Sequence, residues 1–133
     1  MSEKKMRFWT ALMVAALAGW SLLSAQNGGF LFRGPLSRLI SPNGDGRNDV
    51  AIFCFENFSH SGVSGAIYSL TGREVVTGLP HQNPALAGCP GGSGPESMTW
   101  DGKVDGSPVR SGVYVYQIKS EGQAFTGTLL VVR

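Results

Sequence analysis

Histidine, cysteine and charge are all scarce in this 133-residue chain. Each scarcity removes a class of function. The two histidines, His60 and His81, both fall in polar, turn-rich stretches and read as solvated loop residues. Ser61 lies beside His60, but sequence neighbours on a loop do not make a nucleophile and its base without an orienting group. No His-x-x-x-His occurs, and the two cysteines are too far apart for a zinc-type pair. Gly44-x-Gly46 is not followed by a helical pattern, which excludes a dinucleotide loop. These absences argue against an enzyme and a small-molecule substrate.

The N-terminus is unlike the rest. Lys4, Lys5 and Arg7 precede an uncharged run over residues 8–23, FWTALMVAALAGWSLL, which ends in the small residues Ser24 and Ala25. A charged start, a short apolar run and a small-residue exit are the features of a secretory signal peptide. The run is shorter than the roughly 20 residues a spanning helix needs. We therefore expect residues 1–25 to be a signal peptide, with a mature chain starting at Gln26 and secreted or held in the cell envelope.

Charge supports that division. Three of the eleven basic residues and one of the nine acidic residues lie within the first 25, so the remainder balances at eight of each. A neutral chain lacks the basic stripe that phosphate binding requires, so nucleic acid is not an expected partner. Another envelope or secreted protein is. Export also permits a disulfide between Cys54 and Cys89, the alternative being two unpaired thiols.

Beyond the signal no helical periodicity of ten or more residues appears. Residues 26–34 read as a short polar lead. Short apolar stretches then follow at 35–40, 50–55, 63–70, 74–79, 98–100, 112–119 and 125–132, separated by Gly, Asn, Asp and Pro. Seven short strands in about 100 residues predict an all-β chain, an immunoglobulin-like sandwich of about seven antiparallel strands over residues 35–133. Residues 80–97 carry four prolines and four glycines. They read as a long loop without strand or helix. In the stretch at 112–119, Tyr114, Tyr116 and Ile118 share one face, which predicts Tyr114 and Tyr116 as core anchors. Trp100, at a strand end before Asp101-Gly102, is predicted as another.

The densest polar chemistry is SPNGDGRND, residues 41–49. Asn43, Asp45, Asn48 and Asp49 place oxygen atoms on a tight, glycine-bearing loop, a candidate calcium site of the kind found in extracellular modules. The alternative is a network of Asx turns, in which those oxygens bind neighbouring backbone N–H groups. No other cofactor is indicated.

These segments also carry a resemblance. SPNGDGRND resembles the opening signature of gliding-motility-associated C-terminal domains. IYSLTGREV, residues 67–75, is similar to a hairpin of the immunoglobulin-like module of the flagellar hook-capping protein and of modules that end secreted bacterial proteins. WDGKVDGSPVRSGVYVYQIK, residues 100–119, and GTLLVVR, residues 127–133, resemble the same module. The resemblance implies a small β-sandwich, a loop-forming role for Asn43, Asp45 and Asp49, and no catalytic residue. It implies an exported structural or assembly module, with a secretion or sorting domain as the alternative. A sandwich bearing a tryptophan also leaves open a carbohydrate-binding module.

Overall fold

The computed structural model describes residues 29–92 and 94–133. The expected signal peptide at 1–25, and residues 26–28 of the lead, lie outside the described residues. The chain forms an immunoglobulin-like β-sandwich with no helix among the described residues. Its strands are β1 (Phe30–Pro35), β2 (Leu39–Ile40), β3 (Ala51–Asn57), β4 (Val63–Ser69), β5 (Glu74–Thr77) and β6 (His81–Gln82). They continue as β7 (Glu96–Trp100), β8 (Lys103–Val104), β9 (Ser107–Pro108), β10 (Gly112–Ser120) and β11 (Gln123–Val131). One sheet has the order β1-β3-β7-β6 and the other β2-β11-β10-β4-β5, with β8-β9 a small separate hairpin.

Period-two alternation decides what each strand buries. On β3, Ala51, Phe53 and Phe55 point between the sheets and are at most 1% exposed. From the opposite sheet come Ile67, Tyr116, Ile118, Leu129 and Val131. The Phe53 and Tyr116 ring centroids sit 4.8 Å apart across the core. Burying each such side chain fully is worth roughly 1.5–3 kcal/mol. Gly65 faces the core from β4, where an added Cβ would lie within 3.1 Å of Met98, Leu79 and Ile118. That position therefore admits no larger side chain without repacking.

Four expectations are corrected. Eleven strands replace about seven, the additions being short edge and hairpin pieces, and one pairing, β2 with β11, is parallel. The polar lead at 26–34 instead contains most of β1, whose Phe30 and Phe32 pack on Phe125 with centroids at 5.7 and 5.2 Å. The single edge strand at 35–40 is two pieces. β1 pairs antiparallel with β3, then the chain crosses to the other sheet and β2 lies against β11. Finally, residues 80–97 are not strandless: His81–Gln82 pairs with β7, which itself starts at Glu96. Proline density there hid one short ladder and the start of a longer one, both supported by tertiary packing.

The outer face of β3 is covered too. Cys54 is fully buried and bonded to Cys89, with 5.5 Å between the Cα atoms. The loop that carries Cys89 is further held by Ala85 N–H donating to the Pro95 carbonyl at 2.8 Å and Leu86 N–H donating to Ser97 Oγ at 3.3 Å. This strap explains why β3 is apolar on both faces.

Candidate functional site

The loop over residues 41–49 is closed by its own side chains. Asp49 Oδ1 accepts the N–H groups of Asn43 and Gly44 at 3.1 and 2.8 Å, and Oδ2 accepts that of Gly46 at 2.7 Å. Asn43 Oδ1 accepts from Asp45 N–H at 3.0 Å, and Asp45 Oδ1 from Arg47 N–H at 2.8 Å. Ser41 N–H donates to the Asn48 carbonyl at 2.7 Å, with Asn48 at a φ of 51°. Gly44 and Gly46 have φ values of 78° and 83°, which turn their N–H groups toward Asp49 without a Cβ penalty. Hydrogen bonds from Gly44 and Gly46 hold the Asp49 carboxyl below its ordinary pKa of 3.8, partly opposed by desolvation.

This is the Asx-turn arrangement. Three of the four candidate ligand residues, Asn43, Asp45 and Asp49, spend side-chain oxygens on backbone donors. The fourth, Asn48, contributes its carbonyl to closing the loop. No group of three or more His, Cys, Asp or Glu side chains is arranged to hold a metal among the described residues.

A second motif loop packs against the first. Asp101 Oδ1 accepts Lys103 N–H at 3.0 Å, and Trp100 Nε1 donates to the Lys103 carbonyl at 3.1 Å. Gly102 has a φ of 73°, and a Cβ there would come within 2.9 Å of Pro42 Cγ. The two loops thus meet at one end of the sandwich. Pro42, Gly44, Asp49, Val50, Asp101 and Lys103 line a shallow cleft of about 210 Å³ between them.

Trp100 is 3% exposed and edge-on to Tyr114 at 5.6 Å, so its indole is a core anchor and offers no face for stacking a sugar. Tyr116 is likewise buried at 3%, and burial pushes its hydroxyl pKa up against an opposing influence from Arg38. Tyr114 is a core-edge residue whose hydroxyl donates to the Arg110 carbonyl at 2.7 Å.

Two polar pairs escaped the sequence reading. His81 is not a free loop residue. Its Nε2 lies 2.7 Å from Oε1 of Glu96, a residue only 5% exposed, and its ring is tilted against Phe55 with centroids 5.5 Å apart. Arg33 Nη2 contacts Glu56 Oε2 at 2.6 Å, with Glu56 also buried. The partners in these pairs are 15 and 23 residues apart, a separation no local motif announces. His60 sits in the turn after β3, and the Oγ of neighbouring Ser61 donates to Glu121 at 2.9 Å instead of meeting an imidazole.

No protein-family model matches the chain, and no curated protein matches it.

Proposed function

We propose that this chain is a non-enzymatic, exported structural module that docks with another envelope or secreted protein. One observation carries the reading. The side chains that most resemble chemistry in the sequence are engaged in the fold itself. Asp49, Asn43 and Asp45 bind their own loop. Asp101 caps its turn, Trp100 is tied to Lys103, and the cysteines strap a loop to β3. What this construction delivers is a rigid sandwich with exposed sheet edges, and edges are a common means of protein docking. The disulfide suits an oxidising compartment, which supports export.

The test is recovery of the native protein from envelope and medium fractions under cross-linking, with the cross-linked residues identified. The expected result is a stoichiometric partner joined through a sheet edge or the strapped loop. Residence in the reducing cytosol with no cross-linked partner would overturn the reading.

A further inference from the structure

We propose that the uncovered edge of β11 is a self-association surface, which pairs antiparallel with the same edge of a second copy of this chain. The proposal rests on the reading above that the sandwich docks through a sheet edge, and adds a second copy of the chain as the occupant of one such edge. β2 lies beside β11 only at Leu130 and Val131. The stretch from Gln123 to Thr128 has no strand on that side among the described residues. Leu130 N–H and Val132 N–H donate to the Arg38 and Ile40 carbonyls, so even-numbered positions direct their backbone outward from β10. Strand periodicity then turns the N–H and C=O groups of Ala124, Thr126 and Thr128 toward the side that no described strand occupies.

The other three edges of the two sheets are guarded. β1 carries Arg33, Pro35 and a register shift between Phe32 and Gly34. β5 is four residues long, begins at Glu74 and meets a register shift on β4. β6 has only two residues. Charge, proline, irregularity and brevity are the usual devices that prevent edge pairing. From Gln123 to Thr128, β11 has none of them: its sequence is QAFTGT and its register with β10 is unbroken. All three outward-directed residues are solvent-exposed.

The strand's own geometry selects one register for a second copy. Arg38 occupies the place beside Leu129, so an antiparallel neighbour must end there. The longest self-pairing that does so centres its two-fold axis on Phe125, setting Ala124 against Thr126 and Gln123 against Gly127 of the other copy. No like charges face each other in this register. Phe125, half-buried against Phe30 and Phe32, meets its own symmetry mate and extends the aromatic cluster across the axis. At each end the exposed Glu121 turn of one copy arrives at the exposed Arg38 of the other, which pairs opposite charges twice.

Sedimentation of the purified protein, with the N-terminus the cell leaves on it, reads the outcome. The wild type is expected to form a dimer at high micromolar concentration. Thr126→Pro removes an outward N–H while leaving the β10 ladder intact, and is expected to yield monomer with an unchanged circular dichroism spectrum. Glu121→Arg should weaken the dimer, and adding Arg38→Glu should restore it. If Thr126→Pro fails to fold, the charge-reversal pair and Thr126→Lys decide. A wild type that stays monomeric, or a dimer indifferent to Thr126→Pro and to charge reversal, overturns the proposal. A monomer that still cross-links to another envelope protein would leave the assembly reading standing.

Discussion

Gly127 shows how one missing side chain sets the packing around it. It lies directly opposite Tyr116 in the β10–β11 ladder, and the Tyr116 ring fills the space a Cβ would take. Gly127→Ala should therefore destabilise the domain by about 1–3 kcal/mol through overpacking. Denaturant melts of the two proteins measure it, and an unchanged midpoint would mean that the tyrosine can move aside. Asp49 tests the loop at 41–49 through pH. Its pKa is depressed in the folded state by backbone N–H bonds, so its contribution is present above the ordinary value of 3.8. That contribution is lost as pH falls through the lower folded value. Stability of the wild type should fall more steeply below pH 4 than that of Asp49→Asn, compared by thermal melts across the acid range. Parallel curves would show that the carboxylate charge is not what holds the loop.

At the scale of elements, the strap over β3 is the feature most open to test. Cys54 and Cys89 are 35 residues apart, and closing such a loop restricts the unfolded chain by a few kcal/mol. Replacing both cysteines with alanine should lower stability by about 2–5 kcal/mol. It should also speed amide exchange on the outer face of β3 and β7, including Ser97, which is fully buried beneath the strap. Exchange and melts like the wild type would mean that the loop stays down without its bond. β4 and β10 were legible in the sequence because each buries a repeating face, and β3 because it is a continuous apolar run. β1 was not, since its Phe30 and Phe32 alternate for only a few residues between glycines. β6 was not, because two residues are held by β7 and not by their own propensity. The loop at 41–49 was legible as a cluster of oxygens. Its choice between ligand cage and Asx network was not, because that depends on which way the N–H groups turn. The His81–Glu96 and Arg33–Glu56 pairs were invisible for a simpler reason: strand pairing, not sequence distance, brings them together.

For the whole molecule, the sheet change between β1 and β2 has a consequence for force. Phe30 packs near the start of β11, by Phe125, whereas β2 lies parallel to the other end of β11 at Leu130 and Val131. Phe125 and Val131 lie six positions apart on β11, at about 3.4 Å per residue along the strand. Tension applied between Phe30 and Val131 therefore runs along β11. Because β2 and β11 run in the same direction, such tension slides one past the other. The bonds from Leu130 and Val132 to Arg38 and Ile40 are then loaded together in shear, where they share the strain, and cannot open one after another as in a hairpin pulled from its ends. A module held at both ends would resist stretching through the two-residue strand that looks least substantial in the fold.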